Sequence, residues 1–413
     1  MKKISLTALG LFAGILGIFA QQDVADSSEY KSKRISVEEV NLISSYYHQD
    51  GNRSPITGGI GSEKLNDYAN IIELKLAKYS KNNDNLKHNI GIEMGVDHFT
   101  SASTSKISTS SASSSVSGND TRFYPTLSYS ATNEKKGFTI GGDYAFSKQF
   151  NYISNGLGIS FSKISKDENR EFSVKANVYL DKISLVYPSE LVPVTTHSNS
   201  HASEDDDDHK NKYPKRSRNT FNTSFVYSQV FTKRFQMAFL LDVVYQNGFL
   251  STPYHRVYFP NDRNTHLEVL PNYRFKLPVG FRANYFAGDR VILRSYYRFY
   301  YDTWGIIANT ASIEMPVKIT PFISISPVYR FHQQSGTKYY HPYQQADINS
   351  DYNTTDDDLS KFTSHFVGAN FRFGGPNGIF KLKHWNMIEV RYGHYFRSDG
   401  LNSDIVSLNL KFK

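Results

Sequence analysis

Arg290, Arg294 and Arg298 recur at four-residue spacing in the stretch RVILRSYYRFYYDTWG, with Tyr, Phe, Val and Leu packed between them. Guanidinium groups repeated along one face suit the recognition of anions, because each presents a fixed fork of donors to a carboxylate or phosphate. A second set of residues lies in HSNSHASEDDDDHK, where His197, His201 and His209 surround Asp205, Asp206, Asp207 and Asp208. Imidazole and carboxylate together can hold a divalent metal. No ligand spacing there matches an established metal site, so a solvated loop neutralised by the neighbouring KNKYPKRSR is the simpler reading. Catalytic signatures are missing: there is no GxSxG elbow, P-loop, HExxH or paired CxxC. The thirteen histidines still leave room for a barrel-embedded Ser–His hydrolase, which needs no local motif. With no cysteine, disulfides, thiolate metal sites and haem attachment through CxxCH are excluded. No cofactor is expected.

The element that carries the arginines decides what they do. On a helix, like charges at i, i+4 repel, and Tyr, Phe and Val are mediocre helix formers. On a strand, Val291, Leu293, Ser295, Tyr297, Phe299 and Tyr301 make one face. Arg290, Ile292, Arg294, Tyr296, Arg298, Tyr300 and Asp302 make the other, which is the period-2 pattern of a half-buried strand. The pattern recurs in RFQMAFLLDVVYQNG, EFSVKANVYL and MIEVRYGHYFR. Charges interrupt these strands almost always on one face. A soluble sandwich alternates too, so periodicity alone does not choose the surroundings.

The ends and the bulk composition choose them. The chain opens MKKISLTALGLFAGILGIFAQQ, with Lys2 and Lys3 before a short apolar run and small Ala20 before Gln21. That is the pattern of a secretory signal peptide over residues 1–20. Mean hydropathy is −0.48, yet aromatics reach 15%, with 29 Tyr and 29 Phe. Strands that alternate lipid-facing and water-facing residues average to a polar composition, while girdles at both interfaces require aromatics. The expected fold is an all-β transmembrane antiparallel up-and-down barrel over 38–413, preceded by a periplasmic segment over 21–37, in the outer membrane of a Gram-negative bacterium. About sixteen strands are expected. The connections alternate: long ones near 48–67, 99–120, 183–218, 248–275 and 334–359, against uniformly tight ones such as TNEKK, KDENR and AGD. Short periplasmic turns and long extracellular loops have this asymmetry. The last strand, DIVSLNLKFK, sets Val406, Leu408, Leu410 and Phe412 on one face and looks like the segment read by the barrel-assembly machinery.

The segments VVYQNGFLSTPYHRVYF, LPVGFRANYFAGDRVILRSYYRFYYDTWGI and RYGHYFRSDGLNSDIVSLNLKFK resemble an outer-membrane family frequent in Bacteroidetes, domain-of-unknown-function family 3570. The resemblance covers most of the mature chain and implies the same barrel without an established activity. It also implies neighbours: such proteins resemble components of gene clusters that encode a flavin-transferring enzyme and a small lipoprotein. A small lipoprotein or a periplasmic redox partner is therefore expected besides outer-membrane lipid, and no nucleic acid.

In such a barrel the even face of 290–302 points into the lumen, since Arg at the lipid midplane costs ~2–4 kcal/mol. Arg282, Arg290, Arg294, Arg298 and Arg391 are then lumen-lining, together with Asp242 and Glu389. Two readings stand. The arginines select anions in a porin-like channel, or they pair with Asp242, Glu389, Glu93 and Asp97 and fill the barrel. The function classes are a porin-like channel, a sheath or anchor for extracytoplasmic redox or export partners, and third an outer-membrane hydrolase.

Overall fold

Chains that alternate apolar and polar residues have no helical stripe to bury, and their backbone groups are satisfied across strands instead. The computed structural model describes residues 33–101, 119–191, 214–375, 378–379, 382 and 384–413, and within them the regular structure is almost wholly strand. The first nine strands are β1 (Ser36–Asp50), β2 (Leu65–Tyr79), β3 (Leu86–Ser101), β4 (Asn119–Asn133), β5 (Phe138–Gln149), β6 (Tyr152–Ile164), β7 (Arg170–Ser184), β8 (Lys215–Thr232) and β9 (Phe235–Gly248). A two-residue ribbon follows, β10 (Arg256–Val257) with β11 (His266–Leu267). The chain then runs through β12 (Tyr273–Ala287), β13 (Val291–Asp302), β14 (Ile307–Glu314), β15 (Val317–Lys318), β16 (Ile323–Gln334), β17 (Phe362–Gly374), β18 (Trp385–Arg397) and β19 (Asn402–Phe412).

All but the ribbon join one sheet, in which each strand pairs antiparallel with its sequence neighbour. β19 pairs back on β1, from Val40 opposite Phe412 to Asp50 opposite Asn402, and this closes the barrel. β14 and β15 are one stave interrupted at Met315–Pro316, where proline has no N–H for the ladder, so the wall has sixteen staves. The expected architecture and strand count are those observed. Connections also keep the expected parity: at one end lie tight turns such as 80–85, 233–234 and 288–290, at the other the loops 51–64, 249–272 and 335–361. The signal peptide expected over 1–20 and most of 21–37 lie outside the described residues.

One face of nearly every stave carries exposed apolar groups, and together these form a belt. Leu157 is 62% and Ile159 70% exposed, an exposure that suits hydrocarbon and not water. Tyr68, Tyr144, Tyr245, Tyr273 and Tyr301 rim the belt toward the loop end, and Tyr129, Phe161, Phe172, Tyr227 and Tyr285 rim it toward the turn end. The opposite face is polar, and two of its glycines admit rings. A Cβ on Gly95 would lie 2.0 Å from the Tyr124 ring, and one on Gly393 2.1 Å from Phe366. Aromatic rings therefore lie flat against the inner wall there. The seam is closed by Val40 and Phe412, packed with Leu42, Ile72, Leu74, Trp385 and Leu410.

Candidate functional site

Register places the charged side chains. Arg282 faces Tyr296, Arg294 faces Asn284, and Arg298 faces Gly280 on β12 and Thr310 on β14. All belong to the face opposite Phe281, Tyr297 and Phe299, the interior face. Arg330 on β16, Arg372 on β17 and Arg391 on β18 carry the same orientation onward. Arg290 lies in the 288–290 turn, one residue before β13, where its carbonyl accepts from the Lys318 amide.

Partners differ along this row. Arg294 Nη1 stands 3.4 Å from Glu314, and Arg391 pairs with the buried Glu389 two residues before it. Arg282 lies 5.9 Å from the Tyr296 ring and Arg330 5.0 Å from Phe366. Among the described residues no ion pair engages Arg282, Arg298, Arg330 or Arg372. Across the barrel, β2 to β5 present Asp67, Glu73, Glu93, Asp97 and Asp143 on the interior face. Asp97 is held by Arg122 and Tyr124, and Asp143 by Lys175 at 2.8 Å. Asp242 on β9 faces Ser224 and has no ion pair among the described residues. The geometry brings together Arg282, Arg294 and Arg298 but not the pairings of these arginines with Asp242, Glu93 or Asp97.

Several of the most deeply buried residues lie in the loops at one end. Thr354 and Thr355 are 0% exposed, and Val257, Ala346 and Ser54 are each 1%. They form a small core between loops 51–64, 249–272 and 335–361. Loop 51–64 joins β1 to β2 and loop 249–272 joins β9 to β12, so the two start from opposite sides of a sixteen-stave ring. Any contact between them must cross the mouth. Arg256 makes that crossing: it donates to the carbonyl of Ile56 and through Nη2 to Glu190 at 2.9 Å. Its own carbonyl accepts from Thr355 Oγ1 at 2.7 Å. Tyr258 packs where a Cβ on Gly58 would stand, and Gly58 has φ +85°, so glycine is required twice over. Arg397 donates to Asp358, to the Asp357 carbonyl and to Asp399, tying loop 335–361 to β18.

The cap also holds carboxylates short of counter-charge. Burial, and then the neighbouring Asp358, push Glu63 up to about 7. Burial pushes Asp356 up to about 6. Burial alone would lower His255, but the adjacent Glu268 carboxylate outweighs it and raises the imidazole. Sequence reasoning missed this group because its members are 13 and 88 residues apart in loops with no period. The one signal was an aromatic run, PYHRVYF, inside a loop expected to be solvated. The metal candidates His197, His201, Asp205, Asp206 and His209 lie outside the described residues. For hydrolysis, the interior offers a Thr310 hydroxyl 2.8 Å from His332 Nδ1, with Gln334 3.3 Å from the other ring nitrogen.

Some of the solved structures similar to this one are outer-membrane proteins. They include the outer-membrane protein OpdK of Pseudomonas aeruginosa at 6% identity, covering 93% of this chain and 99% of that one, with TM-score 0.39. A BenF-like porin of Pseudomonas fluorescens Pf-5 is similar at 7%, covering 93% and 100%, with TM-score 0.40. A bacterial polysaccharide outer-membrane secretin is similar at 9%, covering 91% and 98%, with TM-score 0.42. No curated protein matches the sequence. A closed antiparallel barrel with an apolar belt and a polar interior has the form of a membrane-spanning β-barrel, and with residues 3–379 matched, the chain belongs to the family described as "Protein of unknown function (DUF3570)".

Proposed function

We propose that this protein is an outer-membrane channel whose interior basic row favours anionic solutes, with the capped end outside the cell. The observation that carries the reading is the set of Arg282, Arg298, Arg330 and Arg372 on β12, β13, β16 and β17, none ion-paired among the described residues, facing an acidic wall. Charges of one sign lining a water-filled constriction attract the opposite ion without holding it tightly, which is what conduction needs. Reversal potentials in planar bilayers under a salt gradient test it. The expected result is anion preference, reduced when Arg282, Arg298 and Arg330 are all changed to Ser. The barrel should still assemble, because these side chains face water.

The cap supports a second reading. A mouth bridged by Arg256 suits a barrel that works as a sheath or anchor for a lipoprotein or periplasmic partner. That reading expects little conductance from the isolated protein and recovery of the partner with it.

A further inference from the structure

Where the cap joins loops 249–272 and 335–361, three metal-ligating groups converge. One ring nitrogen of His255, one carboxylate oxygen of Glu268 and one of Asp356 all lie within 4.8 Å of one another. His255 and Glu268 are buried, at 9% and 5% exposure, and Asp356 is half-buried. We propose that these three side chains form a binding site for a divalent transition-metal ion of the zinc type, which clips the two loops together.

Three features of the site support this. The first is spacing. His255 Nδ1 stands 3.3 Å from Glu268 Oε2. A tetrahedral shell with bonds of ~2.0–2.1 Å has ligand–ligand edges of roughly 3.3–3.4 Å, so this pair already stands at an edge length. The second is charge. Among the described residues neither Glu268 nor Asp356 has a lysine or arginine partner, since Arg256 is taken by Glu190, Arg397 by Asp358 and Asp399, and Arg53 by Asp357. Two poorly solvated carboxylates facing one imidazole are left with excess negative charge, which costs free energy unless a cation neutralises it. A divalent ion with a neutral imidazole removes the excess.

The third feature is the support around the ligands. Glu268 accepts from the Thr252 amide through Oε1 at 2.7 Å and from Thr354 Oγ1 through Oε2 at 2.5 Å. Asp356 accepts from the Asp358 amide at 3.0 Å. These donors fix the carboxylates in place before any ion arrives, as outer partners of metal ligands do. One imidazole nitrogen with two carboxylates suits zinc and its neighbours in the first row better than calcium or magnesium, which take oxygen alone. Three protein ligands leave a fourth position for water.

The test is a cobalt titration of the full-length protein in detergent after chelation, followed by visible absorption and displaced by zinc. One tight equivalent with a tetrahedral cobalt spectrum is expected. Asp356→Asn keeps the capping oxygen for the Asp358 amide, so the cap should fold, yet it should weaken this equivalent by roughly tenfold or more. His255→Gln should abolish the spectrum. Both effects should persist when His197, His201 and His209 are changed to Gln, which separates this site from the histidine-rich segment. Failure to bind cobalt at micromolar concentration would overturn the proposal, as would an equivalent unchanged by both Asp356→Asn and His255→Gln in protein that still runs as a folded barrel.

Discussion

The wall of the barrel and the cap over its mouth are held together in opposite ways. In the wall, each stave pairs with its sequence neighbours, and every second residue meets the same surroundings. In the cap, Arg256 bonds to Glu190 and to Ile56, 66 and 200 residues away, and Thr355 bonds back to Arg256 across 99 residues. The wall can therefore tolerate polar change on one face and almost none on the other. The cap depends on a few irreplaceable side chains, whose loss should leave the wall intact.

The largest expected effect breaks the wall. Leu241 lies on the belt face opposite Val279 and Phe225, whereas Gln236 lies on the interior face opposite Asn284. Leu241→Arg places a charge in hydrocarbon at a cost of ~2–4 kcal/mol and should block assembly, seen as loss of the heat-modifiable band on gels. Gln236→Arg should assemble normally. Equal assembly of the two variants would show the face assignment to be wrong.

Next comes the cap. Arg256→Ala removes the bridge between loops on opposite sides of the ring and leaves the Glu190 carboxylate and the Ile56 carbonyl without this donor. Breaking a buried charged contact costs on the order of 3 kcal/mol. That cost should fall on the cap alone: faster proteolysis within 249–272 and several-fold higher single-channel conductance, with the barrel band unchanged. If assembly fails as expected for Leu241→Arg, the cap is part of the folding unit and the wall does not stand alone.

The same contrast explains what could be read from the sequence. The sixteen staves were legible because strand information is local: Val291 to Tyr301 on one side and Ile292 to Asp302 on the other repeat every two residues. Loop parity was legible because an up-and-down barrel forces it. Arg282, Arg294 and Arg298 were placed on one face for the same reason. Their ionic partners were not, since pairing depends on side-chain reach across staves: Arg294 reaches Glu314, which no period in β13 reveals. The cap was illegible altogether. Nothing near His255 in sequence points to Asp356, and the histidine- and aspartate-rich residues 197–209 lie outside the described residues.

The smallest expected effect is a pH dependence confined to the cap, carried by Glu63 in loop 51–64. Its carboxyl is raised from 4.5 to about 7, first by burial and then by Asp358, with Asp357 and Asp356 adding and Arg397 opposing. A closed cap thus holds this proton more tightly than an open one. The penalty on closure is absent below about pH 4.5, where both forms are protonated, and grows as pH rises toward about 7. In chelated buffer, conductance should accordingly rise modestly between about pH 5 and about pH 8 as the cap loosens. Glu63→Gln should flatten that rise while leaving the arginine-dependent ion preference unchanged. The wall supplies no such dependence at Leu241 or Gln236, which do not titrate. A pH response that survives Glu63→Gln undiminished would move the titrating group out of this loop, to Asp356 or His255 elsewhere in the cap.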